Sequence, residues 1–152
     1  KEPFLFACFT GFRYSDVKAL TWERINKDGN KFRLIINQKK TKETNSIELS
    51  AQAQKWMPKR GCKSNDDLVF SLPTEPHMNN KLKMWAKAAG IEKNISFHTA
   101  RHSFATMMLT LGVDLYTVSK LLGHTNISNT QIYAKIVDKK KDEAVNLVND
   151  VF

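Results

Sequence analysis

The sequence predicts a mostly helical α+β fold with a small antiparallel β-sheet of about three strands near its N-terminal half. Three observations lead there. Strand-like runs and their turn signals all precede Ala51. From Asn79 onward apolar residues recur at helical spacing and glycines stop each run. The length, 152 residues, is that of one ordinary domain, and such a chain buries about 70% of its unfolded surface without disulfide or metal staples.

The elements follow in chain order. Pro3 to Phe9 reads as the end of a buried helix, broken at Thr10-Gly11. Ser15 to Leu20 reads as a short helix, with Asp16 in the first turn, where the helix dipole favours a carboxylate. Asp28-Gly29-Asn30 is a turn signal, Phe32 to Asn37 is a β-rich run, and Ser46 to Ser50 alternates with Ile47 and Leu49 on one face. The lysine-rich linker Gln38 to Asn45 then becomes an exposed hairpin loop. Leu82, Trp85, Ala86 and Ala89 mark a helix that Gly90 ends. A second spans Thr99 to Leu111, with Ala100, Phe104, Met107, Met108 and Leu111 on its buried side. Leu115, Val118, Leu121 and Leu122 mark a third, stopped by Gly123. Ser128 and Gln131 have capping-box spacing, so a helix carrying Tyr133 is expected to start near Ser128. Ala144, Leu147, Val148 and Val151 give one apolar face to a C-terminal helix over residues 139–152. That face can dock on its own domain or on a neighbouring protomer. Trp22, Trp56 and Trp85 are expected in the core, and Tyr14 and Tyr116 are read as structural.

Composition narrows the function classes. Hydrophobic residues make up 41% and charged residues 26%, a globular balance that argues against disorder. The longest apolar run, Phe4 to Phe9, is far too short to span a bilayer. No signal-peptide pattern opens the sequence, and the chain reads as a domain cut from something longer. The formal charge of +9 suits a polyanion, most commonly nucleic acid, although a lysine-rich soluble surface would give the same balance. Cys8 and Cys62 make neither a disulfide framework nor a zinc cluster. Cys8 reads as a small buried residue, and the setting as reducing and cytoplasmic.

Four segments carry candidate chemistry: Thr10-Gly11-Phe12-Arg13, Lys39-Lys40-Thr41-Lys42, His98-Thr99-Ala100-Arg101-His102, and Leu122-Gly123-His124 with Tyr133 nine residues later. Each alone has a plain structural explanation: a surface arginine, solvated lysines, a helix-start pair, a C-cap histidine and a packed tyrosine. His98 and His102 have the spacing of a helical zinc pair, but Thr99 stands where metalloproteases carry their glutamate base, and Arg101 between them would repel a dication. No metal and no cofactor is therefore expected. A glycine-rich phosphate loop is missing, so nothing supports an ATP-driven reaction.

In order and spacing the four segments together resemble the catalytic domain of the tyrosine recombinases, the phage integrase family. The family's T-G-x-R-x-S-[ED] segment matches Thr10 to Asp16, with Asp16 where Glu is commoner. Its strand-loop lysine matches Lys40 before Thr41, with Lys39 and Lys42 flanking. H-x-x-R-H matches His98 to His102, L-G-H matches Leu122 to His124, and the nucleophile matches Tyr133. The flavour of the first motif is similar to integrases of prophages and conjugative transposons. The resemblance runs from about Thr10 to Tyr133 and leaves the family's amino-terminal DNA-clamping domain out of this chain. It implies a site-specific DNA recombinase or integrase, acting on double-stranded DNA as a homo-oligomer, a tetramer, in the bacterial cytoplasm at the nucleoid.

The implied catalytic set is Arg13, Lys40, His98, Arg101, His124 and Tyr133. Cleaving a phosphodiester without a metal requires positive charge aimed at the pentacoordinate phosphate. Two guanidinium forks supply it, and His124 adds a donor. A phenol of pKa near 10 is only about 0.1% ionised at neutral pH, so it needs a proton acceptor. The resemblance gives that proton transfer to His98 and protonation of the departing 5′ oxygen to Lys40. Asp16 and His102 are read as supports that orient Arg13 and the His98 helix. Three rivals stand beside this reading. They are a basic DNA-binding module without activity, a type IB topoisomerase with shared chemistry, and an RNA-binding domain, for which no aromatic stacking motif is visible.

Overall fold

The computed structural model describes residues 1–29, 31–37, 44–124 and 126–133. It is mostly helical with one three-stranded antiparallel sheet, as expected. The chain opens with helix α1 (Glu2–Thr10), whose Pro3 sits at the helix start, where a missing N–H costs nothing. Gly11 ends it in the left-handed region at φ 72° and donates its N–H to Ala7 O at 2.9 Å. Helix α2 (Tyr14–Lys18) follows, starting one residue and ending two residues earlier than expected. Leu20 therefore lies beyond the helix, yet only 1% exposed.

Strands β1 (Ile25–Asp28), β2 (Lys31–Asn37) and β3 (Thr44–Glu48) pair in the order β1-β2-β3. Their register sets Ile25 opposite Leu34 and Leu34 opposite Ile47, so a single apolar face meets the helices, as period-two geometry requires. The exposed Lys31–Glu48 pair at 3.1 Å spans the β2–β3 ladder. An exposed pair of this kind contributes about 1 kcal/mol at most.

Helix α3 (Ala51–Lys55), which the apolar pattern did not signal, is capped by Ser50 Oγ accepting from Ala53 N–H at 3.2 Å. Helix α4 (Glu75–Ala88) starts four residues before the expected Asn79. Its first turn is polar, with Glu75 and Pro76, so the periodicity does not reach it although both residues suit a helix start. Helix α5 (Phe97–Thr110) starts two residues early because Ser96 N–H donates to Thr99 Oγ1 at 3.1 Å. Asn79 Oδ1 of α4 accepts from Phe97 N–H at 2.7 Å. Helix α6 is Leu115–Leu121.

Three expectations are corrected. Leu111 is 73% exposed, not buried, since α5 stops at Thr110 and Leu111 points away as its cap residue. No capping box forms at Ser128: Asn126 Oδ1 accepts from Ser128 N–H at 2.9 Å, and the described turn is a 3₁₀ helix over Ile127–Tyr133. Trp22 is core at 3% exposure, but Trp56 and Trp85 are only half-buried at its edge. The expected C-terminal helix at 139–152 lies outside the described residues.

Two apolar clusters result. The larger joins α1, α2, the sheet, α4 and the first turn of α5, with Phe4 edge-on to both Trp85 and Phe97 at 6.0 Å. The smaller holds Phe104, Ala105, Leu109, Val118, Leu122 and Tyr133. Helix α5 belongs to both: Phe97 and Ala100 face the first, and Phe104 faces the second. Arg101 sits between them.

Candidate active site

Arg101 is 4% exposed. One guanidinium nitrogen donates to Gly11 O at 2.8 Å and another to Leu122 O at 2.6 Å. These carbonyls end α1 and α6, so one side chain ties together the segments carrying Arg13 and His124. Two of its five N–H donors are used this way. Burial, and then Arg13 nearby, lower its pKa to about 10, against the pull of Asp16 and Tyr133. It remains a cation at neutral pH.

Arg13 is exposed, two residues past the Gly11 turn. Its backbone N–H donates to Asp16 Oδ2 at 3.1 Å. Asp16 therefore orients Arg13 through the backbone, as the first-turn carboxylate of α2.

On α5, His98, Arg101 and His102 share one face, as i, i+3 and i+4 positions must. His98 is exposed, and its ring meets His102 edge-on, with centroids 4.6 Å apart and planes at 85°. Partial burial lowers the His98 pKa, and His102, Arg101 and Arg13 add to the effect, while Glu75 opposes it.

His124 is half-buried, its N–H donating to Ser119 O at 3.0 Å just past α6. The C-cap of α6 is Leu122, not His124, which follows two residues later. Its Nδ1 lies 2.9 Å from the hydroxyl of Thr130, which is fully buried. When that hydroxyl donates to Nδ1, Nε2 carries the ring proton and is a donor free to point outward. Burial lowers the pKa of His124, with Arg101, Arg13 and His98 contributing.

Tyr133 is 8% exposed and its hydroxyl lies 2.6 Å from His102 Nδ1. Burial raises its pKa; Arg101 pulls the other way and does not cancel the effect. Tyr14, by contrast, is buried with its hydroxyl donating to Pro73 O, and Tyr116 is exposed beneath the Lys120 ammonium. Cys8 is half-buried and burial pushes its thiol up to about 11, so it is not an activated nucleophile.

The structure thus brings Arg13, His98, Arg101, His124 and Tyr133 into one electrostatically coupled cluster from three separated segments. Lys40, with Lys39 and Lys42, lies outside the described residues. The flanking strands pair through Asn37 and Thr44, so their connection carries all three lysines. Sequence reasoning did not name Thr130, and it named His102 without its contact to the phenol. Thr130 belongs to none of the motifs, and its signal is only its place six residues after His124; His102 closes the H-x-x-R-H motif, one turn beyond His98.

The domain is mostly helical, and arginines and histidines from separate segments lie near one buried tyrosine hydroxyl. The chain belongs to the phage integrase family, whose model matches residues 2–140. It is 34% identical over 140 residues to the tyrosine recombinase XerD of Lacticaseibacillus casei, covering 84% of this chain and 47% of that protein. Among solved structures, XerH site-specific recombinase bound to palindromic difH substrate, in a post-cleavage complex, superposes with a TM-score of 0.71 at 23% identity. The match covers 97% of this chain and 45% of that one. The catalytic domain of bacteriophage HP1 integrase gives 0.66 at 20% identity, covering 95% and 79%. These two likenesses concern the fold. The chain spans about half or less of the length of the curated relatives it matches.

Proposed function

We propose that this chain is the catalytic part of a site-specific recombinase or integrase that cleaves and rejoins double-stranded DNA through a 3′-phosphotyrosine bond. Tyr133 is the nucleophile. Arg13, Arg101 and His124 bind the non-bridging oxygens and stabilise the charge that develops on the pentacoordinate phosphate. His98, exposed at the mouth of the cluster, serves proton transfer on the phosphate side, and Lys40 protonates the departing 5′ oxygen. The covalent bond conserves the energy of the broken one, so rejoining needs no nucleotide. The positive charge that a metal ion would otherwise supply comes from the two guanidinium groups. Residues 1–152 act as one catalytic domain within a longer protein that works as a homo-oligomer, a tetramer on DNA, with residues 139–152 as its docking helix.

One observation supports the reading above the rest: Arg101 binds the two carbonyls that carry the Arg13 and His124 segments, and Tyr133 lies within the field of that same cation. Tyr133→Phe tests it. The variant should form no SDS-resistant DNA adduct, with or without EDTA, and should bind DNA as the parent does, since the phenol contributes little to a salt-dependent phosphate interface. Parent-level adduct on Tyr133→Phe rejects the nucleophile. Adduct from the parent that requires a divalent ion rejects the metal-free route.

A further inference from the structure

We infer that His102, rather than His98, takes the proton from the Tyr133 hydroxyl as the nucleophile attacks, an inference that rests on the function just proposed. Of the two imidazoles on this face of α5, only His102 touches the phenol, at 2.6 Å from Nδ1. His98 meets the ring edge of His102 instead, and it is exposed. Both partners are held. Tyr133 packs with Phe104, Leu109, Val118 and Leu122, and His102 follows the anchored Arg101 by one residue.

The site also needs an acceptor in contact with the oxygen. Burial raises the phenol's pKa by more than Arg101 lowers it, so spontaneous ionisation is rarer than for a free tyrosine. A phenol hydrogen-bonded to a neutral imidazole nitrogen can pass its proton as the new bond forms.

The step balances. The Tyr133 O–H bond breaks and its proton goes to His102 Nδ1, leaving an imidazolium whose other proton is on Nε2. The freed oxygen pair forms the O–P bond, the P–O5′ bond breaks, and that oxygen takes a proton from Lys40. On rejoining, the incoming 5′ hydroxyl gives up its proton on the Lys40 side and His102 returns its own to the departing phenolate. His98 is then left for the phosphate. Glu75 and the two arginines bear on His98, and Arg101 bears on the phenol as well.

His102→Asn separates this role from simple positioning. Asparagine places an amide oxygen about where Nδ1 stands, so it can still accept the phenol's hydrogen bond, but it is not a base at neutral pH. The full chain and its variants are mixed with a pool of nicked duplexes of randomised sequence, and the initial rate of covalent adduct is read. A second pool carries a bridging sulfur at the 5′ position, a leaving group that needs no acid. His102→Asn is expected to keep the parent's melting temperature and to lose about 100-fold or more in adduct rate. The sulfur pool should restore Lys40→Ala and leave His102→Asn slow. An adduct rate for His102→Asn within about tenfold of the parent, or its recovery on the sulfur pool, overturns the assignment.

If the parent forms no adduct on either pool, the proposed function fails on its own. Nitrogen-15 spectra of the DNA-free chain then decide the contact. An unprotonated His102 Nδ1 whose resonance moves in Tyr133→Phe sustains it, and a protonated Nδ1 overturns it.

Discussion

Arg101 has two jobs that mutagenesis will tend to merge. Its charge bears on His98, His124 and Tyr133, while two of its donors hold the ends of α1 and α6. Removing it leaves two backbone carbonyls without their charged donor, each such bond contributing about 1.5–3 kcal/mol. Arg101→Met should therefore lower unfolding free energy by about 2–4 kcal/mol in urea titrations, in addition to any loss of activity. A variant as stable as the parent would show that the two carbonyls are satisfied some other way. At this scale the sequence was legible in part. Arg13, His98, Arg101, His124 and Tyr133 were named from motif spacing, and all five belong to the coupled cluster. Which imidazole meets the phenol was not legible, because His98 and His102 share a helix face and only the turn ending at Tyr133 selects between them. Thr130 was missed for a related reason. Its hydroxyl matters only because the 3₁₀ turn carries it back to His124 Nδ1.

Among the elements, the turn at Gly11 is the most constrained. A Cβ there would stand 2.7 Å from the Phe104 ring and 3.0 Å from a Leu122 methyl, on a backbone at φ 72°. Gly90 ends α4 at φ 71° with nothing within 4 Å of the same added atom. Left-handed strain alone costs about 1–2 kcal/mol and overpacking a further 1–3. Gly90→Ala should thus cost about 1 kcal/mol and Gly11→Ala about 2–4, with Gly11→Ala also shifting Arg13 and Arg101. Equal losses at the two positions would mean that the Phe104 contact yields freely. The existence of the elements was legible where periodicity and glycine stops coincide, as at the ends of α4 and α6. It failed where neither operates. Helix α3 is five residues long with one buried side chain, Ala53, too short to display a period. Leu111 looked like core because it continues the α5 pattern one step beyond the residue where the helix ends.

For the whole molecule, the two apolar clusters meet along α5 and the candidate site occupies their seam. Desolvation there has a consequence for pH. Both His98 and His124 have pKa values lowered from about 6.5, so below that value the unfolded chain takes up protons before the folded chain does. Stability is therefore present above about pH 6.5 and falls as pH drops through the unfolded value toward the folded ones. The melting temperature should decline between about pH 7 and pH 5, and His124→Gln should flatten that decline. A melting temperature that rises over the same interval would contradict the lowered values. The net charge of +9 belongs to this scale too. DNA affinity should fall steeply as salt increases, with a slope set by the number of phosphates contacted, and a salt-independent affinity would remove phosphate contacts as its source.

The central claim is that the Tyr133 phenol, in the field of Arg101, becomes joined to DNA. Its most direct measurement is to trap the chain on nicked duplexes in excess EDTA, digest the complex, and identify the nucleotide-bearing peptide by mass spectrometry. The account predicts one modified site, Tyr133, carrying a 3′-phosphodiester. A bond at Tyr14, Tyr116 or any serine, or a 5′ linkage, would contradict it.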